Sequence, residues 1–149
     1  MPTNILRNRG IKVSAKDARS VPKSSATRQV DIKLGKVAIA ATLLDTPTAD
    51  RIWAALPLHS TVETWGAALH FEVPVESGRG PGAVIKAQRG HLYFWSDEDR
   101  VIVAFGATPL SRPGEMRLPV PCNAWAVTED DLAPLSTIRP GTKVSVSRR

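Results

Sequence analysis

The chain has one cysteine, Cys122, in 149 residues, so it cannot form an intramolecular disulfide. Its three histidines, at 59, 70 and 91, share no metal-ligand spacing with that thiol or with one another. A reducing cytoplasm is the expected setting, and no cofactor or metal ion is expected. Long apolar runs are also missing. Nothing approaches the roughly 18 consecutive apolar residues of a spanning helix, and the first residues lack the apolar centre of a secretory signal, so no membrane span is expected. Aromatic residues are few, 5% of the chain, and half of them are tryptophans: Trp53, Trp65, Trp95 and Trp125.

Acidic residues are scarce at one end only. Residues 1–36 hold nine basic side chains against Asp17 and Asp31, whereas residues 37–149 hold eleven basic and twelve acidic ones. The formal charge of +6 is therefore a property of the N-terminal segment. The near-neutral remainder argues against a nucleic-acid-binding fold and assigns any contact with a polyanion to the arm. With 42% apolar residues, the rest of the chain has the composition of a folded domain with one core.

Residues 1–28 contain Pro2, Gly10 and Pro22 and no sustained period of 2 or 3.6, which predicts a disordered basic arm before a domain over residues 29–149. Lys36–Leu44 is rich in β-branched and small residues and predicts a buried strand. Thr46-Pro47 supplies an N-cap hydroxyl and a proline at the first helical position. With the apolar stripe Ile52, Trp53, Leu56, it predicts a helix over Pro47–Leu56, stopped by Pro57. From Trp65 onward short β runs are separated by turn residues: 69–73, 90–95, 101–105, 124–127 and 143–146. Ser96–Arg100 reads as a hairpin tip and Leu132–Ile138 as a short helical turn. The chain is thus expected to be mainly β, a closed antiparallel barrel with one or two short helices. Two loops are long, Ser77–Gly82 and the four-proline stretch Ala107–Pro121, and loops of this kind often carry binding residues.

Thr64-Trp-Gly66 leads into Phe71-Glu-Val-Pro-Val75, followed by Gly90-His-Leu-Tyr-Phe-Trp95, Phe105-Gly-Ala-Thr-Pro109 and Asn123. In order and spacing these blocks resemble a family of small prokaryotic proteins with a minimal cyclophilin-like barrel, over roughly Val37–Val146. The resemblance implies an eight-stranded antiparallel barrel with helices at its ends. Cyclophilins proper are peptidyl-prolyl isomerases, but their Phe-His-Arg block is absent: neither His70-Phe71 nor His91 is followed by the arginine. Catalysis of a step with a barrier of about 20 kcal/mol is therefore not carried over with the fold.

Several residue groups could carry chemistry. Ser77-Gly-Arg-Gly-Pro-Gly82 has the glycine density of a phosphate loop without the Lys-Ser/Thr that should follow it. Its Arg79 could instead meet an anion or carboxylate. Asp97-Glu-Asp99 and Glu129-Asp-Asp131 lack calcium-loop spacing and read as a solvated turn and a helix start. Cys122 has no evident base and reads as an inert thiol. Asn123 offers two donors and one acceptor to a ligand or to a neighbouring loop. If it serves a ligand, Asn123→Ala should weaken binding several-fold and barely alter stability, whereas early melting would mark a loop brace.

The leading expectation is a binding module for a small molecule or peptide. Its cleft lies at the barrel rim, formed by Phe105, Thr108, Asn123 and Trp95, with Arg79 over it. The alternatives are a divergent prolyl isomerase and a scaffold protein docking through its basic arm. Neither ligand nor oligomeric state is legible in the residues.

Overall fold

A computed structural model describes residues 24–149; the expected arm lies, for residues 1–23, outside the described residues. The strands are β1 (Ser24–Leu34), β2 (Val37–Leu44), β3 (Leu58–Thr64), β4 (Ala68–Glu72), β5 (Val84–Lys86), β6 (His91–Trp95), β7 (Arg100–Ala104), β8 (Arg117–Val127) and β9 (Lys143–Arg148). Among the described residues one α-helix, α1 (Pro47–Ala55), follows β2, and a 3-10 turn spans Ala133–Thr137. β1 begins at Ser24, inside the segment expected to be disordered, and its first residue pairs with Leu44.

Every pairing is antiparallel. The order runs β2, β1, β9, β3, β4, β7, β6, β8, and β8 then pairs with β2 through Thr42↔Val127 and Leu43↔Ala126. The sheet thereby closes on itself as an eight-stranded ring, leaving the short β5 attached to β8. Closure removes the exposed edges that an open sheet would present.

Alternation along the strands sorts side chains into two cores. Leu92, Phe94, Val101, Phe71 and Trp125 fill the interior, with Trp125 fully buried. Tyr93, Ile102, Ala68, Leu118 and Cys122 form a second cluster, their alternate positions placing them on the outer face. The Tyr93 hydroxyl there accepts the Gln88 N–H at 2.8 Å. Strands buried on both faces explain why 92–94 and 101–104 read as continuous apolar runs.

The helix forms where the sequence predicts it. Thr46 Oγ1 accepts the Ala49 N–H at 3.1 Å, Pro47 occupies the first turn, and the helix ends before Pro57. Thr48, Ala49 and Ile52 form its buried face, and α1 packs against β8. Trp53 is partly buried beside the core, with the Arg148 guanidinium 4.4 Å from its ring centroid.

One expectation about the chain is corrected. The prolines at 119 and 121 do not mark a loop that ends at Pro121, because β8 already begins at Arg117. Proline cannot donate to a ladder, and these two lie where the β5 pairing shifts register between Val84↔Cys122 and Lys86↔Arg117. No helix among the described residues is long and apolar enough to cross a membrane.

Candidate functional site

On its β2 and β5 side, β8 has partners up to Cys122 and again from Ala126, but none over Asn123–Trp125. A cavity of about 450 Å³ occupies this interval. Asn123 and Ala124 form one part of its lining, Asp45–Thr48 another, and Ser77, Gly78 and Gly80–Gly82 the rest. The interval arises because β2 ends at Leu44 and the chain turns into α1, while the glycine loop does not reach β8 until Val84.

The polar groups of the cavity are already ordered by one another. Asn123 is buried, and its Nδ2 donates to Gly78 O at 2.8 Å and to Thr48 Oγ1 at 3.0 Å. Its Oδ1 accepts the Gly80 N–H at 2.8 Å, and since that backbone group can only donate, the amide orientation is determined. Thr48 Oγ1 and Ser77 Oγ are 2.7 Å apart. A helix, a strand and a loop therefore converge on one buried hydrogen-bonded centre. Asn123 acts as a brace for the loop, which accounts for its capacity without any ligand.

Electrostatically the cavity is weakly charged. Asp45 is the one charged residue in its lining among the described residues, and Arg28 lies 3.8 Å from it while making a closer 2.7 Å contact with Asp50. Among the described residues no cationic side chain lines the cavity. A second hollow, of about 610 Å³ and more open, lies beside the C-terminal half of α1. Glu72, Glu76 and Asp99 border it with Arg51.

The five residues expected to form one rim cleft are not brought together. Asn123 pairs with Phe94, and Trp95 pairs with Arg100, which places both near the Ser96–Asp99 tip. Arg79 is at that end too, its Nη2 3.3 Å from Asp97 Oδ2. Phe105 and Thr108 follow the opposite end of β7, past the Ala68↔Ala104 pair. Thr108 is buried there, its hydroxyl donating to Arg117 O, while Phe105 packs against the interior core. Trp95 is partly buried against the outer cluster, edge-on to His70 with centroids 5.8 Å apart. Only Asn123 of the five lines the cavity.

Two histidines are held below their ordinary pKa. His91 is lowered by burial. His70 is lowered by burial first and then by Arg100, whose Nη1 lies 3.2 Å from Nδ1. Because a guanidinium only donates, Nδ1 is the acceptor and the ring is neutral in this contact. Cys122 is fully buried, and burial pushes its thiol up to about 12. That value describes an unreactive thiol in the state seen here.

Thr48 and Ser77 were not singled out from the sequence. A signal existed for Thr48: a polar residue on the buried stripe of a helix, beside Ala49 and Ile52, must find a partner. Ser77 lies in a loop whose conspicuous feature in the sequence is the charge of Arg79.

The sequence matches the family described as Cyclophilin-like over residues 28–147. The solution structure of the hypothetical protein AF2241 from Archaeoglobus fulgidus superposes with a TM-score of 0.72 at 22% identity, covering 83% of this chain and 95% of that one. No curated protein matches the sequence.

Proposed function

Because the chain belongs to the cyclophilin-like family, we propose that it is a binding module whose ligand, an uncharged small molecule or peptide segment, occupies the cavity beside Asn123 and Thr48. The observation that carries this reading is the cavity itself. About 450 Å³ at the β8 interval lies within the usual range for ligand pockets, and its lining combines Pro47, Pro81 and Ala124 with a preordered polar centre. Among the described residues the lining combines small and apolar groups with one carboxylate, Asp45, which favours an uncharged ligand. The arginine-centred signature of the isomerases is absent, so the reading assigns no catalytic residue. The single cysteine fits a cytoplasmic setting, and the basic N-terminal segment is the part of the chain that would meet a polyanion.

The test is a fragment titration of ¹⁵N-labelled full-length protein followed by amide chemical shifts. The probes are small uncharged amides and heterocycles, with inorganic phosphate and acetate as anionic controls. The expected result is saturable shifts, with affinities on the order of millimolar, confined to residues 45–48, 77–82 and 123–124 for the uncharged probes. Shifts centred on Phe105 and Thr108, or stronger responses to phosphate, would overturn it.

A further inference from the structure

Around Asn123 the donor hydrogens exceed the hydrogen bonds by one. The two hydrogens on Asn123 Nδ2 go to Gly78 O at 2.8 Å and Thr48 Oγ1 at 3.0 Å, and the Gly80 N–H goes to Asn123 Oδ1 at 2.8 Å. The hydroxyls of Thr48 and Ser77 bring one hydrogen each, yet they share a single contact of 2.7 Å. If Thr48 donates in it, the Ser77 hydrogen is left over. If Ser77 donates, Thr48 Oγ1 accepts twice and its own hydrogen is left over. In either arrangement one O–H has no acceptor among the described residues.

That hydrogen belongs to a buried pair, Thr48 being 3% exposed and Ser77 9%. Spare lone pairs remain as well, but a buried oxygen that already takes a bond loses little by them. An O–H without an acceptor bears the full desolvation cost. The space that both residues border is the cavity, and a hydroxyl hydrogen rotates toward whatever accepts it. Asn123 strengthens the donor without reaching the ligand, because its N–H into Thr48 Oγ1 polarises the hydroxyl pair. Pro47, Pro81 and Ala124 offer the same space to hydrocarbon, and the carboxylate of Asp45 in that lining repels an anionic acceptor.

We propose that the cavity recognises a neutral carbonyl group, whose oxygen accepts the spare hydrogen of the Thr48–Ser77 pair. Ketones, lactams and peptide units share that chemistry. The inference rests on the binding-module reading above and names what its ligand carries: an acceptor toward α1 and the glycine loop, with apolar atoms along the two prolines. A ligand that only donates leaves the spare hydrogen unpaired.

Two small neutral rings test this on the full-length ¹⁵N-labelled chain: cyclopentanone, which only accepts a hydrogen bond, and pyrrole, which only donates one. Cyclopentanone should bind about three- to tenfold more tightly than pyrrole, with saturable amide shifts that include Thr48 and Ser77. N-acetylglycine N-methylamide is titrated beside them, and its affinity relative to cyclopentanone distinguishes a peptide carbonyl from that of a small ring compound. Asn123→Asp places a carboxylate where the amide stood. That group takes the Thr48 hydrogen, Thr48 takes that of Ser77, none is left over, and pyrrole should overtake cyclopentanone. A dispersed amide spectrum establishes that this variant is folded, and the ranking on the parent needs no variant. Saturable binding to the parent with pyrrole level or ahead would overturn the carbonyl inference and leave the binding-module reading standing. A folded Asn123→Asp protein that keeps the parent's preference for cyclopentanone would overturn it too. No saturable binding by any of the three probes would overturn both.

Discussion

Replacing Asn123 by alanine is expected to destabilise the protein by about 2 to 4 kcal/mol, from three hydrogen bonds at roughly 0.5 to 1.5 kcal/mol each. The side chain joins Gly78 O, Gly80 N and Thr48 Oγ1, which belong to two different parts of the chain. Without it, a loop carbonyl, a loop N–H and the Thr48–Ser77 hydroxyl pair all lose a partner in a largely enclosed place. Water entering the half-open cavity would recover some of the loss, which sets the lower bound. For a folded body of this size, a fall in melting temperature of roughly 10 °C is expected. Ser77→Ala serves as the comparison, because it removes only the 2.7 Å contact to Thr48 and should cost about 1 kcal/mol. Thermal and urea melts of both variants decide the matter. An Asn123→Ala protein that melts like the parent would show that the three bonds contribute nothing net, and would return Asn123 to a purely ligand-facing role.

The same residue shows how far the site was legible. An asparagine opening a strand announces a side chain with two donors and an acceptor, but not their partners. Those partners lie 43 to 75 positions away in the chain. Their approach depends on ring closure, which places the end of β2 and the glycine loop on the same side of β8. In the sequence Phe105 and Trp95 share one feature: each closes a strand in adjacent β runs. A hairpin sends successive strand ends to opposite ends of the barrel, so the two could not form one cleft.

The fold was legible where burial is two-sided or a cap is explicit. β6 and β7 show as apolar runs because the interior and the outer cluster cover both of their faces. α1 shows through Thr46 and Pro47. β3 did not show, since Leu58 and Val62 are its only buried residues and the positions between them are polar or exposed. β5, three residues with no buried side chain, carries no pattern at all. The first half of β8 was hidden by its prolines. Its burial is nevertheless clear, with Leu118 and Cys122 on the outer cluster.

Gly66→Ala is expected to have a large effect, about 3 to 5 kcal/mol, because two independent costs fall on one atom. The residue has φ of +59°, a conformation that costs an L-residue roughly 1 to 2 kcal/mol. A Cβ there would also sit 2.8 Å from Pro109 Cδ and 3.0 Å from both Ala107 O and Thr108 Cα. These atoms are backbone or ring and cannot turn aside. The facing turn is tied down as well, by Ala67 N–H to Ala107 O and Phe105 N–H to Ala67 O, each at 2.9 Å. Two other glycines separate the costs. Gly114 has φ of +81° with nothing within 4 Å of a Cβ, so Gly114→Ala should show the backbone cost alone, about 1 kcal/mol. Gly106 needs no positive φ, but its Cβ would lie 2.8 Å from that of Ala67, so Gly106→Ala should show the steric cost alone. Urea melts of the three variants test this, and a Gly66→Ala midpoint no lower than that of Gly114→Ala would remove the close-packing account. The contacts also explain why the Thr64-Trp-Gly66 and Phe105-Gly-Ala-Thr-Pro109 blocks stand out together in the sequence: they are two turns pressed against each other at the end of the barrel away from Asn123. Their chemistry is that of a structural clasp. Gly66→Ala should accordingly lower stability, while the fraction that remains folded responds to uncharged fragments at residues 45–48, 77–82 and 123–124 as the parent does.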